Sequence, residues 1–296
     1  MHKSTTELAP KENRKHGDAL FPLAVYHYSS PAGEPVLDCH WHEEAEFLVV
    51  LEGQTMFQIG TDYFPLQAGE AVFIHSGDIH AGHPLGEQGC RFFAIVFDMN
   101  WLSSGSRDRL HASYIAPLLE GARSLPRQYA DEHEWSASVR QSLLGIRRDV
   151  EQARPGYELS VKAHLYSMLA ELAAGGYWVT RLPDTHIDQA KLEQLKLVLA
   201  YIEANYQSKI YLKQLADMTH MDESQFCRFF KRLVHKSPIT YINSYRVKQA
   251  TLLLRSDRKM LDIALEVGFD NPSYFIKRFR EEMHCTPVEF RRRFHL

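Results

Sequence analysis

The last hundred residues contain an internal repeat, which constrains the fold more than any other feature of the sequence. The segment DESQFCRFFKRLVHKSPITY, which begins at Asp222, aligns with NPSYFIKRFREEMHCTPVEF, which begins at Asn271, at a constant offset of 49 residues. Phe226 matches Phe275, and serine, basic, histidine and proline residues also recur at matching positions. We therefore predict that this region folds as two copies of one structural unit.

Each copy has the pattern of a capped helix that follows a shorter helix. Asp222 and Asn271 are typical N-cap residues, because their side-chain oxygens accept hydrogen bonds from free backbone N–H groups. Pro272 suits the first helical position. The short helices YLKQLADMTHM and MLDIALEVGF precede the two copies. A short helix, a tight turn and a second helix predict a helix-turn-helix, here present twice.

The spacing of the two units suits double-stranded DNA. The segment YINSYRVKQATLLLRS joins them and predicts one helix, which would span roughly 24 Å. Successive major grooves on one face of DNA recur about every 34 to 36 Å. The joining helix with its flanks could therefore place one helix of each unit in neighbouring grooves.

Charge divides the chain in the same way. Residues 191–296 hold 19 Lys and Arg against 12 Asp and Glu, a net charge of +7, whereas residues 1–190 hold 15 against 25, a net charge of −10. A basic part joined to an acidic part favours nucleic-acid binding by the basic part. Uneven surface charge without function is the alternative that charge alone leaves open.

The N-terminal half predicts a β structure followed by helices. Short runs rich in Val, Ile, Phe and Tyr, such as EFLVVLEG and CRFFAIVF, alternate with glycine-containing breaks between residues 20 and 98, which predicts a small barrel or jelly roll. Helical periodicity follows, with an apolar stripe that would pack on the barrel or on a second subunit. The stripe consists of Val161, Leu165, Met168, Leu169 and Leu172.

The stretch HWHEEAEF in this half carries the side chains of a candidate site. His40, His42 and Glu46 would lie on one side of a single strand, because alternate residues of a strand share a face. Imidazole and carboxylate groups together suit Fe, Mn, Ni or Zn. The same groups could instead bind an organic effector in a pocket, so the pattern leaves both possibilities open.

The C-terminal region resembles the AraC/XylS family of bacterial transcription regulators over residues 192–294, most specifically in IALEVGFDNPSYFIKRF. The resemblance implies that the second helix of each unit enters the major groove. Arg228 is the main candidate for a base contact, since arginine can bind guanine through two hydrogen bonds, and a phosphate contact is its alternative. The resemblance implies groove contacts by Ser224, Gln225, Cys227, Arg228, Ser273, Tyr274 and Lys277. Lys231 and Arg280 are interpreted as phosphate-contacting or solvent-facing charges, which would add affinity without sequence choice.

One departure from the family pattern occurs in both copies. The family usually has glycine before the element that ends in Pro238 or Pro287, whereas this chain has His235 and His284. Glycine there supplies a left-handed backbone conformation that ends the helix. We interpret the histidines as tolerated replacements for the glycine cap.

The N-terminal half resembles cupins over residues 20–98. His40, His42, Glu46 and Gly53 fit the first cupin motif, and GEAVFIHSGDIH fits the second except that histidine replaces its proline. In cupin enzymes the two histidines, the glutamate and the last histidine, here His80, bind a divalent metal. AraC-like regulators resemble cupins in this half and commonly bind a sugar or another small metabolite there.

These observations predict a multidomain α+β chain. The expected parts are a polar N-terminal arm (1–19), a cupin-like effector-binding barrel or jelly roll (20–106), helices that support dimerisation (107–175), a linker (176–190) and an all-α DNA-binding domain with two helix-turn-helix motifs (191–296). The expected function is a ligand-responsive transcription regulator, more often an activator, that senses a small metabolite such as a sugar.

The expected partners are promoter DNA, an effector, RNA polymerase and a second copy of the chain. We predict no enzymatic activity and no cofactor, with a divalent metal in the barrel as the exception. The alternative is a metal-dependent cupin enzyme or metal sensor fused to a DNA-binding domain. Four cysteines without a paired motif, a polar N-terminus and the absence of a long apolar run predict a cytoplasmic location and no membrane association.

Overall fold

A computed structural model describes residues 15–103, 108–130, 132–180, 186–256 and 258–292. These residues form two compact units, which divide between residues 180 and 186. Most of the predicted N-terminal arm, at residues 1–14, and the middle of the predicted linker, at residues 181–185, lie outside the described residues.

The first unit is built on two antiparallel sheets, as the jelly-roll prediction requires. One sheet has the strand order β1-β8-β3-β6-β10, another has the order β2-β7-β4-β5, and β9 pairs with β11. The strands are β1 (Leu23–Ser30), β2 (Leu37–His40), β3 (Ala45–Glu52), β4 (Gln54–Ile59), β5 (Asp62–Gln67), β6 (Ala71–Ile74), β7 (His80–Pro84), β8 (Cys90–Phe97), β9 (Arg123–Ser124), β10 (Gln128–Tyr129) and β11 (Val179–Thr180).

Strand β3 is apolar almost throughout because both of its faces are covered. Leu48 and Val50 pack with Phe57 of the other sheet, between the two sheets. Phe47 and Val49 face the opposite side, where helices cover the five-stranded sheet. A short continuous apolar run is the pattern expected of such a fully buried strand.

The helices of the first unit pack on the five-stranded sheet of the same chain. The five residues of the predicted stripe are buried in one cluster with residues of β3 and β8, so this stripe does not face a second subunit. The helical elements are a 3-10 turn (Met99–Leu102), a π turn (His111–Ile115), α1 (Ala116–Leu119), α2 (Glu134–Gln152) and α3 (Tyr157–Ala174).

The structure differs from the sequence prediction at three points. His40, His42 and Glu46 do not share one strand, because β2 ends at His40 and the chain turns before β3 begins at Ala45 in the other sheet. Strand β7 was not predicted, since its sequence HAGHP lacks the usual β-forming residues. The predicted linker is shorter, because β11 pairs with β9 and helix structure resumes at His186.

The second unit is all helical. Its helices are α4 (His186–Asn205), α5 (Leu212–Met218), α6 (Glu223–Val234), α7 (Pro238–Leu253), α8 (Met260–Glu266), α9 (Pro272–Met283) and α10 (Pro287–Arg292). The pairs α5/α6 and α8/α9 are the two predicted helix-turn-helix motifs, and α7 joins them. No helix within the described residues is both long enough and apolar enough to cross a membrane.

The predicted caps of the two long motif helices are present. The Asp222 side chain accepts a hydrogen bond from the Gln225 N–H at 2.8 Å, and the Asn271 side chain accepts one from the Tyr274 N–H at 3.1 Å. His235 and His284 end α6 and α9 in the left-handed conformation, with φ of 58° and 53°. Each histidine therefore adopts the cap geometry that glycine usually supplies.

Candidate effector site and DNA-binding surface

The four residues of the cupin-like pattern come together in the first unit, although they do so from three separate segments. His40 is the last residue of β2 and pairs with His80, the first residue of β7. His42 lies in the turn after β2, and Glu46 lies on β3 of the other sheet. One ligand atom from each residue lies within 4.8 Å of the others, and all four side chains are buried.

The glutamate is the centre of this cluster. Its Oε2 lies 2.9 Å from His42 Nε2 and 3.2 Å from His80 Nε2. The first contact is a well-aligned hydrogen bond. The second is an electrostatic contact without hydrogen-bond alignment. Glu46 is only 3% exposed, so these contacts offset the cost of burying its charge.

Backbone carbonyls orient all three histidines in the same way. His40 Nδ1 lies 2.8 Å from the Asp38 oxygen, His42 Nδ1 3.0 Å from the Glu44 oxygen, and His80 Nδ1 2.9 Å from the Asp78 oxygen. A carbonyl oxygen only accepts hydrogen bonds, so each Nδ1 carries a proton. His42 also donates from Nε2 to the Glu46 carboxylate, so its ring is protonated at both nitrogens. The Nε2 atoms are therefore the ones presented to the cluster.

Burial and the carboxylate shift the titration of these groups. Burial, reinforced by the charge of His80, lowers the pKa of His40 to about 3. Burial alone would lower the pKa of His42 and raise that of Glu46, but their mutual hydrogen bond and charges outweigh it. The pKa of His42 is consequently raised and that of Glu46 is lowered, which keeps Glu46 ionised.

His40, His42, Glu46 and His80 are of the residue types that hold a divalent metal ion, and His42 Nε2 would have to release its proton to bind one. Two atoms bound to one ion at about 2.1 Å lie about 3.0 Å apart at a right angle and about 3.4 Å apart in a tetrahedron. The distances of 2.9 and 3.2 Å from the glutamate oxygen to the two histidine nitrogens are close to these values. Histidine ligands of metals usually donate their other N–H to a carbonyl or carboxylate, as all three do here.

His16 also belongs to this site, which the sequence did not reveal because the first residues are predominantly polar and have no periodicity. Its ring centre lies 5.5 Å from that of His42, and its Nδ1 lies 3.1 Å from the Tyr26 hydroxyl. His16 is 5% exposed. The end of the predicted N-terminal arm is therefore part of the folded first unit.

In the second unit, α6 presents one apolar face and one polar face. Five apolar residues of the helix are buried. Of the predicted DNA-contact residues, Ser224, Gln225, Arg228 and Lys231 are exposed, and Cys227 is half-buried. The Gln225 carboxamide also accepts a hydrogen bond from the Asp222 N–H at 3.4 Å, so it helps to cap the helix.

Helix α9 presents its predicted contact residues in the same way. Ser273, Tyr274, Lys277 and Arg280 are exposed. The Tyr274 hydroxyl, however, accepts a hydrogen bond at 2.9 Å from the side-chain amide of a residue on α7. All four predicted residues are therefore accessible from solvent, but one of them already has a partner within the protein.

Comparison with known proteins extends the resemblance to both units. Residues 23–169 match the model of the AraC-like ligand binding domain, and residues 215–293 match that of a helix-turn-helix domain. An uncharacterized HTH-type transcriptional regulator of Bacillus subtilis, YdeC, is 26% identical over 285 residues, which are 95% of this chain and 96% of the relative. The transcriptional activator RhaS of Mannheimia succiniciproducens is 21% identical over 88% of this chain and 91% of its own.

One partial relative combines regulation with catalysis. The bifunctional transcriptional activator/DNA repair enzyme AdaA of Bacillus subtilis is 34% identical over 100 residues, but these are only 33% of this chain and 47% of that protein. The family models and the full-length relatives instead describe regulators with a ligand-binding part and a DNA-binding part. The chain belongs to the AraC/XylS family of transcription regulators, and it joins an AraC-like ligand-binding domain to a helix-turn-helix DNA-binding domain.

Proposed function

We propose that the chain is a ligand-responsive activator whose α6 and α9 contact base edges in neighbouring major grooves of promoter DNA. The observation that carries this proposal is the presence of two capped helices in one basic unit, each with an exposed polar face. Mapping the sites that the full chain occupies on its genome tests the proposal. We expect occupancy upstream of a small set of operons, whereas uniform occupancy would contradict it.

We further propose that the effector binds at the cluster of His40, His42, Glu46 and His80. Ligand sites combine apolar walls with a few convergent polar groups. The cluster supplies the polar groups, and the Phe57 ring, which stacks on His80 with centres 6.1 Å apart, supplies an apolar wall. The effector needs groups that bind imidazole and carboxylate. The hydroxyl groups of a sugar can do so, but so can the polar groups of other metabolites. A sugar as the effector therefore stays a prediction.

A thermal-shift screen of small metabolites tests this assignment, because a ligand that binds the folded state raises its stability. A compound that stabilises the full chain should lose its effect in a Glu46→Gln variant. The matched control is His83→Ala, since His83 lies on β7 and bonds to Gln58 outside the cluster. A shift that survives Glu46→Gln would contradict the proposed position.

A second candidate function is metal-assisted sensing, which the three Nδ1–carbonyl contacts favour. A divalent ion held by the cluster would act as a Lewis acid toward an anionic or hydroxylated effector. Elemental analysis of the purified chain should then give about one ion per chain, and His42→Ala should abolish it while His83→Ala retains it. A metal-free wild-type chain that still responds to its effector would contradict metal assistance.

We propose that the chain acts as a homodimer. The buried stripe on α3 is used within the chain, so the contact must involve other residues. Leu144 on α2 and Leu159 on α3 are 42% and 78% exposed, and we propose that they contribute to that contact. Light scattering should show a dimer that Leu159→Asp weakens, whereas a monomeric wild-type chain would contradict the proposal.

Activation implies contact with RNA polymerase and a location in the cytoplasm, where bacterial promoters lie. We also propose that the barrel senses its ligand without transforming it, because the chain already has a DNA-binding output for the sensor to control. Transcription in vitro from a promoter found by the genomic map tests the contact with RNA polymerase and the absence of catalysis. We expect purified chain and effector to raise transcript yield and to leave the effector chemically unchanged.

A further inference from the structure

Helix α7, which joins the two motifs, carries two consecutive polar residues in its buried part. Asn243 and Ser244 are each 6% exposed. Buried polar side chains are costly unless they are hydrogen-bonded. Both residues bond to side chains of α9, one near each end of that helix.

The first bond holds the N-terminal end of α9. The Asn243 side-chain amide donates to the Tyr274 hydroxyl at 2.9 Å. The Arg278 guanidinium lies 5.0 Å from the centre of the Tyr274 ring, at the distance of a cation–π contact. The Tyr274 hydroxyl is thus bonded to α7, and the Tyr274 ring contacts Arg278 in the next turn of α9.

The second contact holds the C-terminal end of α9. The Ser244 hydroxyl donates to Glu282 Oε2 at 2.6 Å. The Lys236 ammonium, from the turn between α6 and α7, lies 3.2 Å from Glu282 Oε1 and 3.2 Å from Ser244 Oγ. Tyr274 and Glu282 are about 12 Å apart along the helix axis at the rise of an α-helix, so the two contacts are well separated.

Helices α6 and α9 differ in how many apolar residues they bury. Helix α6 buries Phe226, Phe229, Phe230, Leu233 and Val234, whereas α9 buries only Phe275 and Phe279. Apolar burial is non-directional, while hydrogen bonds have preferred angles. Two separated hydrogen bonds on a less deeply buried helix therefore supply the directional restraint that its apolar contacts lack.

We propose that Asn243, Ser244, Tyr274 and Glu282 are positioning residues that fix the angle of α9 on α7. They would thereby set the distance between the two DNA segments that α6 and α9 contact. This inference rests on the proposed placement of both helices in the major groove. It also changes the role predicted for Tyr274, because its hydroxyl bonds to Asn243 of α7. Base contacts by α9 would then be made by Ser273 and Lys277.

The test is selection of binding sites from a random duplex DNA library by the full chain and its variants. Wild type should select two conserved sequence blocks at one fixed spacing. Tyr274→Phe removes only the hydroxyl, and Asn243→Ala removes its donor. Each should broaden the selected spacing and weaken binding at the native spacing about fivefold, which is the effect of one net hydrogen bond, while the base preferences in both blocks persist.

The matched control is Thr251→Ala, because the Thr251 hydroxyl donates to the Lys248 oxygen at 2.7 Å and so bonds only within α7. It should leave the spacing unchanged. The double variant Asn243→Ala, Tyr274→Phe should behave like either single variant, since both remove the same bond.

Two results would overturn the inference. One is a loss of preference at a single base position with unchanged spacing in Tyr274→Phe, which would make the hydroxyl a base contact. The other is additive losses in the double variant. If the wild-type chain selects no conserved sequence, the proposed placement of α6 and α9 in the major groove is wrong. The two results above, in contrast, contradict only the positioning role and leave the proposed function standing.

Discussion

The two helix-turn-helix motifs share one sequence pattern but depend on their surroundings to different degrees. In the first motif the turn contains His220, which is exposed and has a φ of 53°. The second has Gly268 at the corresponding position, with a φ of 90°. A Cβ on Gly268 would lie 2.5 Å from the oxygen of Tyr206, the residue that follows α4, whereas His220 is exposed to solvent.

Arg246 of α7 strengthens the dependence of the second motif on its neighbours. It donates to the oxygens of Tyr206 and Ser208, both at 2.8 Å, and its guanidinium lies 5.7 Å from the centre of the Phe269 ring. The turn of the second motif, which contains Gly268 and Phe269, thus lies against the segment after α4 and against Arg246 of α7, whereas His220 in the first turn is exposed. A repeat in sequence therefore does not imply equal sensitivity to mutation.

The largest expected effect of this difference is at the two turns. Gly268→Ala should destabilise the second unit by about 3 kcal/mol, because the left-handed backbone and the contact with Tyr206 both disfavour a Cβ. His220→Ala exchanges one non-glycine residue for another in an exposed turn and should change stability by less than about 1 kcal/mol. Thermal unfolding of the two full-length variants measures both, and equal losses would remove the distinction.

A smaller loss is expected from Arg246→Ala. The substitution leaves two carbonyl oxygens without their charged donor and should cost about 2 kcal/mol in the free energy of unfolding. Arg228→Ala is the matched control, since Arg228 is an exposed arginine of the first motif, and it should cost under about 0.5 kcal/mol. Urea unfolding followed by circular dichroism checks the pair. If Arg246→Ala proves as mild as Arg228→Ala, the contacts with the end of α4 do not hold the second motif.

The smallest expected effect is at the C-terminal caps of α6 and α9, where the two motifs should respond alike. His235 and His284 are exposed residues in the same left-handed conformation, so His235→Gly and His284→Gly should each stabilise the chain by about 0.5 kcal/mol. The change in melting temperature should be similar for both variants. A loss of stability in either variant would show that the contacts of its imidazole stabilise the chain by more than the strained backbone destabilises it.

The sequence predicted the features that depend on local pattern. Asp222 and Asn271 cap their helices as expected, because capping is decided within one turn. The structure brings His40, His42, Glu46 and His80 together, although the single strand predicted for the first three was wrong. Their role as an effector site stays a prediction. The sequence motif identifies the four residues. It does not predict the turn after β2 that brings His42 toward Glu46, because a turn has no repeating pattern of apolar residues.

Contacts between distant segments could not be predicted. Asn243 and Tyr274 are 31 residues apart, and each is an ordinary helix residue by sequence alone. His16 follows a polar stretch without periodicity, so its burial against His42 depends on how the barrel closes. The apolar stripe on α3 predicted burial but not the partner, because the same stripe could cover a sheet or a second subunit.

The central claim is that both motifs contact DNA, each in its own major groove. Site selection from random duplex DNA by the wild-type chain, Arg228→Ala and Lys277→Ala tests it most directly. We predict two conserved blocks about one helical turn, or 10 to 10.5 base pairs, apart, with each substitution costing about 1 to 3 kcal/mol and relaxing base preference in one block only. A single conserved block, or equal weakening on all sequences by both substitutions, would contradict the claim.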